Sequence, residues 1–137
     1  MFTKLKAVQI AVKDVEEAAK EYHERLGLKL SQSGPQPRAG IKNAIFPLGD
    51  TIIELIEPLE AGQGPVAKFL DTRGEGIYMF ELEVDDIDSA VKELQAKGVR
   101  LLNADPESRA KGGLVFIHPQ STHGALIGLR KKPRQST

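Results

Sequence analysis

A repeat at an offset of 72 residues governs what this chain can fold into. Gly76–Val84, G-I-Y-M-F-E-L-E-V, is an apolar run ending in Asp85-Asp86-Ile87. Ala7–Val12, A-V-Q-I-A-V, ends the same way in Lys13-Asp14-Val15. Val12, Asp14 and Ala18 thus return as Val84, Asp86 and Ala90. Gly27 returns as Gly98, one residue short of that offset, and Glu54-Leu55 aligns with Gly128-Leu129 at 74. A chain that repeats itself builds one supersecondary unit twice.

Each copy reads as βαβββ. Residues 4–12 alternate, with Val8, Ile10 and Val12 on one face and Ala7, Gln9 and Ala11 on the other, which is strand periodicity. Asp14 stands as N-cap with Glu17 three residues on, a capping-box spacing. Val15, Ala18, Ala19, Tyr22 and Leu26 then make a helical stripe that Gly27 stops. Leu28–Ser31 is expected as a short strand and the Pro- and Gly-rich Ser33–Gly40 as a loop. Ile41–Pro47 and Thr51–Ile56 read as strands joined by the tight hairpin Leu48-Gly49-Asp50. Leu59–Gly64 reads as a loop, and Pro65–Thr72 as a short helix with proline in its first turn. In the second copy, strand 76–84 leads to Asp86 as N-cap. A stripe of Ile87, Ala90, Val91 and Leu94 follows, stopped by Gly98. Val99–Leu102, Leu114–His118 and Ala125–Arg130 read as strands, with a polar loop over Asn103–Gly113 and a turn at Pro119–Gly124.

Neither copy alone has enough helix and sheet to close a core. The expected fold is therefore α+β, with two βαβββ modules forming one curved eight-stranded mixed sheet, helices outside and a trough inside. Module one spans 4–58, a linker 59–75, module two 76–130 and a basic tail 131–137. With 137 residues the whole is a single domain.

Composition narrows the partners. Nineteen basic and nineteen acidic residues balance, which argues against nucleic acid, because binding it needs clustered cations. The basic cluster Arg130-Lys131-Lys132-Pro133-Arg134 is read as a solvated tail. The absence of cysteine excludes a thiol nucleophile and a zinc ribbon. No run of 18 apolar residues offers a membrane span, and a cytoplasmic protein is expected. There is no G-x-S-x-G, no P-loop and no dinucleotide fingerprint. Gly74–Ile77 precedes a strand instead of opening a helix.

With the repeat in hand, the chain resembles the vicinal-oxygen-chelate superfamily of glyoxalase I, bleomycin-resistance proteins and extradiol dioxygenases. Within it, the chain is most similar to the methylmalonyl-CoA epimerase branch. The resemblance rests on I-A-V-K-D-V-E-E-A at 10–18, F-P-L-G-D-T-I-I-E-L-I-E-P-L at 46–59, A-K-F-L at 67–70 and G-E-G-I at 74–77. It continues with E-V-D-D-I at 83–87, K-G-V-R-L at 97–101 and H-P-Q-S-T-H-G at 118–124. It implies a divalent metal held from four strand positions, which in this chain are Ala7, Glu54, Met79 and Gly128. Only Glu54 has a donor suited to a hard cation. The resemblance also implies an acid near position 38, where this chain has Arg38, with Glu24 and Asp50 as the flanking acids.

The resemblance therefore implies an acyl-CoA or small carbonyl ligand held without the family metal. Metal-independent proton transfer or isomerisation is the chemistry such a site retains, with lyase-like chemistry a variant. No cofactor is expected, and a divalent metal only at a shifted site. The alternative is a non-catalytic protein that sequesters a small ligand, as the resistance relatives do. Tyr78 and Phe80 fall on the helix side by parity, which leaves the trough poor in stacking groups. A non-catalytic partner subunit is a third reading. A homodimer is expected from the relatives of this fold.

Candidate site residues follow from strand parity. Gln9, Glu54 and Glu81 share the inward face, with Met79 beside them, and two nearby carboxylates in an apolar trough make an acid–base pair. Glu54 and Glu81 are thus the catalytic candidates, and Gln9, Met79, Ser121 and Thr122 the ligand-binding ones. The competing reading leaves Glu81 and Glu83 facing water and Glu54 hydrogen-bonded to a neighbour. His23 is expected on a solvated helix face. His118 and His123 flank one turn, where they structure it or, with a third donor, hold a metal.

Overall fold

The computed structural model describes residues 1–110 and 114–132, so the expected tail beyond Lys132 and the end of the 103–113 loop lie outside the described residues. The elements are β1 (Phe2–Ala11), α1 (Val15–Leu26), β2 (Gln32–Gln36), β3 (Ile41–Leu48), β4 (Thr51–Pro58), α2 (Pro65–Arg73), β5 (Gly76–Val84), α3 (Ile87–Ala96), β6 (Leu101–Leu102), α4 (Pro106–Ala110), β7 (Val115–Ile117) and β8 (Ile127–Lys131). The strands form one open eight-stranded mixed sheet in the order β2-β3-β4-β1-β5-β8-β7-β6. The βαβββ unit is present twice, as read from the repeat. Two compact units share the chain: Ala7–Tyr78, and Met1–Lys6 together with the residues from Met79 onward.

In the unit Ala7–Tyr78, β1 runs parallel to β4, and the β3–β4 hairpin is antiparallel. One sheet face packs on α1. Val12, Val15, Ala44, Phe46 and Leu55 make that core, joined by Ile10, Ala18 and Tyr22. The other face carries Ala11, Ile41 and Ile56, on which α2 seats Val66, Phe69 and Leu70. Phe69 meets Tyr78 edge-on at 5.3 Å between ring centres. The segment read as a linker helix is thus part of this unit's core. Tyr78 packs on α2, and burial raises its phenol pKa above the usual value.

The second unit repeats the arrangement with β5 parallel to β8 and β7 antiparallel to β8. Val84, Ala90, Val91, Leu94, Val115 and Leu129 form its core, with Phe80 and Leu82 packed against it.

Four boundaries differ from the sequence reading, each for a local reason. Leu28–Ser31 is not a strand, and the expected loop contains β2 instead. Gly27, left-handed at φ 70°, ends α1, and the next four residues carry the chain back to the sheet. Gln32–Gln36 then pair with Ile45–Ile41. Pro35 is tolerated because β2 is an edge strand. The strand expected at 99–102 shrinks to Leu101–Leu102, because Val99 N–H returns to Leu94 O and Arg100 N–H goes to Ser121 Oγ. The expected 103–113 loop contains α4, where Asp105 Oδ2 accepts the Ser108 N–H at 2.9 Å. Finally, the strand expected at Ala125–Arg130 runs from Ile127 to Lys131, one residue into the expected tail.

The caps are as read. Asp14 accepts the Glu17 N–H at 3.1 Å, and Asp86 accepts those of Asp88 and Ser89 at 3.0 and 3.3 Å. The Ser89 backbone N–H, then its hydroxyl, hold Asp86 below the usual carboxylate range. A lowered folded-state pKa gives stability that is present above the unfolded value of 3.8 and lost as pH falls through the folded one. In urea melts from pH 7 to pH 2, the wild type should therefore exceed Asp86→Asn in midpoint near neutrality. The gap should close only below about pH 4. A gap that does not change with pH would refute this account of the cap.

Candidate functional site

Strand pairing decides which polar side chains meet. In the unit Ala7–Tyr78 the parallel register sets Gln9 opposite Glu54, and Asn43 lies on the antiparallel neighbour β3. Gln9 Nε2 donates to Glu54 Oε1 at 3.0 Å. Asn43 Nδ2 donates to Glu54 Oε2 at 2.9 Å. All three residues are buried. The Asn43 Oδ1 atom is buried with no hydrogen-bond partner among the described residues. The result is a carboxylate clamped by two amides, with each of its oxygens keeping a lone pair. Asn43 was not among the residues expected here. Its signal was its place two positions before Ile45, the residue facing Glu54 across the hairpin.

The second unit builds a charged pair at the equivalent register. Glu81 lies opposite Gly128, and Glu83 opposite Arg130. Arg130 Nε donates to Glu81 Oε1 at 2.7 Å, and Arg130 Nη2 lies 2.6 Å from the same oxygen. The Glu81 side chain is 1% exposed and the Arg130 side chain 44%. Glu83 is buried too, accepting the Thr3 hydroxyl at 2.8 Å with Lys4 Nζ at 3.9 Å. The competing reading, in which Glu81 and Glu83 face water, is therefore overturned: the sheet face buries both, and cations answer them. Arg130 was hidden in what read as a basic tail.

Position 128 shows how the second unit is packed. A Cβ on Gly128 would lie 3.3 Å from Glu81 Cγ and 3.5 Å from Met79 Cε. Glu81 and Met79 thus occupy the room beside this strand. Met79 is buried as an apolar packing residue.

The remaining candidates serve turns. Ser121 Oγ accepts the Arg100 N–H, and the Thr122 hydroxyl donates to Ala125 O. His118 Nδ1 accepts the Gln120 N–H at 3.0 Å, while His123 sits at a positive φ of 57°. His23 is exposed on α1, with Nδ1 2.8 Å from Leu28 O. Arg38 is exposed in the turn between β2 and β3. Glu54 is bound to Gln9 and Asn43, and Glu81 to Arg130.

Residues 7–116 match the family model of the Glyoxalase/Bleomycin resistance protein/Dioxygenase superfamily. The chain belongs to that superfamily. It is 35% identical to human mitochondrial methylmalonyl-CoA epimerase over 93% of its own length and 73% of the human protein's. It is also 35% identical to the ethylmalonyl-CoA/methylmalonyl-CoA epimerase of Cereibacter sphaeroides, covering 96% of this chain and 99% of that one. Among solved structures, methylmalonyl-CoA epimerase from Mycobacterium tuberculosis superposes with a TM-score of 0.82 at 31% identity, covering 97% and 90% of the two chains. A hypothetical protein of Bacillus halodurans does so at 0.87 and 35%, covering 98% and 97%.

The superfamily's metal does not fit the four positions carried onto this chain. Ala7 and Gly128 have no donor, and Met79 offers a buried thioether poorly suited to a hard cation. Glu54, the one carboxylate, already accepts an amide on each oxygen. Among the described residues no group of three His, Cys, Asp or Glu side chains is placed to hold a metal. No helix among them is long and apolar enough to cross a membrane.

Two substitutions check this geometry. Gly128→Glu, which places a carboxylate beside Glu81, should cost about 2–4 kcal/mol in urea unfolding, from overpacking and a second buried charge. Near-neutral behaviour would show that Glu81 and Met79 yield freely. Arg130→Met should cost about 2 kcal/mol, below the range for a fully buried pair because the Arg130 side chain is half in water. The double variant Glu81→Gln/Arg130→Met should lose less than the two single losses together. Additive losses would show that the pair is not coupled.

Proposed function

We propose that the chain binds an acyl-CoA or comparable small carbonyl compound and moves a proton on the carbon beside the carbonyl, without the superfamily's four-ligand metal set. The observation that carries this reading is the Arg130–Glu81 pair: a half-exposed guanidinium held by a buried carboxylate, on the strand face that carries positions 79 and 128. The identity to epimerases across nearly the whole chain supports the choice of ligand class.

The chemistry follows from charge. Removing a proton beside a thioester carbonyl builds negative charge on the carbonyl oxygen, and a preorganised cation there lowers the barrier. A guanidinium has five N–H donors in a rigid fork, and Glu81 engages only part of it. The rest would be open to the ligand oxygen. Glu81 holds Arg130 and, in the same unit, is the carboxylate candidate for the base. Glu54 is the carboxylate candidate of the unit Ala7–Tyr78.

The test is deuterium incorporation at the α-carbon of methylmalonyl-CoA in heavy water, with and without Co²⁺, read by mass spectrometry. Exchange without metal is expected. Replacing the base by glutamine should slow exchange by about 10²–10⁴-fold. Arg130→Met should slow exchange, while Arg130→Lys should restore part of it. Exchange only with Co²⁺ would overturn the metal-independent reading and direct the search to ligands outside the four family positions. Saturable binding without exchange in either condition would mark a sequestering protein instead.

A further inference from the structure

A cavity lies in the unit Ala7–Tyr78, on the sheet face that carries α1. It is a cleft of about 850 Å³ between α1 and the β2–β3 edge. Small-molecule sites fall roughly between 300 and 1,000 Å³. The local sequence explains the opening. α1 packs Val15 and Tyr22 into the core over β3 and β4, while β2 adds one more strand at the sheet edge. Where further cover would be needed, the chain has small residues, with Ala19 on the helix, Ala44 on β3 and Gly34 on β2.

The lining is predominantly apolar, and its charges are mostly of one sign. Val15, Ala19, Pro35 and Ala44 supply apolar surface. Lys20, Lys29 and Lys42 line the same cleft with His23, against the single acid Glu16. Lys42 is answered by Glu57 at 3.7 Å, and Glu57 is outside the lining. Asn43 also borders the cleft, but its amide nitrogen is committed to Glu54. None of Gln9, Glu54, Glu81 or Arg130 lines it.

We propose that this cleft binds a small amphipathic carboxylate, with the alkyl chain on the Ala19–Pro35–Ala44 surface and the carboxylate among the lysines. Apolar burial supplies affinity in proportion to chain length, about fourfold per CH₂. The lysines supply orientation and a preference for anions. An inorganic anion alone would leave the apolar lining unused.

The test uses the whole protein with octanoate and octan-1-ol, by isothermal titration and by amide chemical shifts. Octanoate should bind saturably at one site, with shifts clustered on α1, β2 and β3. Octan-1-ol should bind at least about tenfold more weakly. Lys29→Glu, an exposed change that leaves the fold alone, should weaken octanoate by about tenfold, and Ala19→Phe should abolish its binding by filling the cleft. Shifts centred on β5 and β8, equal affinity for the alcohol, or indifference to both substitutions would each overturn the proposal. So would the absence of saturable octanoate binding. None of these readouts uses methylmalonyl-CoA, so the outcome is separate from that of the deuterium exchange.

Discussion

Burying a carboxylate is costly unless donors meet it, and among the described residues three are buried on sheet faces, Glu54, Glu81 and Glu83. The organisation of the polar face follows from how each is met. Glu54 is met by two neutral amides from β1 and β3, Glu81 by the guanidinium of β8, and Glu83 by a hydroxyl and an ammonium from β1. Every donor comes from a strand other than the carboxylate's own. Each pairing therefore ties the local chemistry to strand register. A slip of one residue would turn the donors to the opposite face.

The two units solve the same geometric problem with different chemistry. Glu54 and Gly128 are equivalent in the repeat, and so are Gln9 and Glu81, which stand opposite them in parallel pairs. In one unit the carboxylate is on the outer partner strand and the neutral group on the strand beside it. In the other, the carboxylate has changed strands and glycine leaves it room. Ala7, Met79 and Gly128 are small or apolar where the superfamily's metal ligands would stand. What surrounds Gly128 is the packing of Met79 and Glu81, and Glu81 is held by Arg130.

Much of this was legible in the chain itself. The repeat, the capping aspartates and the strand alternation placed both βαβββ units, and parity placed Gln9, Glu54 and Glu81 on the polar face. The edge strand β2 was not legible, because Gly34 and Pro35 read as loop and only pairing with Ile41–Ile45 makes them strand. Arg130 was missed because a run of cations at a chain end looks solvated, and nothing local signals that Glu81, 49 residues away, awaits it. Asn43 was missed for a similar reason: its amide acts across the hairpin from an otherwise ordinary strand.

What the sequence determined by itself was whatever depends on neighbours within a few residues: helix starts at Asp14 and Asp86, the stop at Gly27, the strand period, and the side-chain types at the four ligand positions. The absence of a side-chain donor at Ala7 and Gly128 belongs there, since alanine and glycine have none in any fold. Tertiary structure decided the partners. Which cation answers Glu81, which amides clamp Glu54 and where α1 leaves the sheet uncovered depend on pairings between residues distant in sequence. Those contacts are selected by burial and register, and no local propensity encodes them.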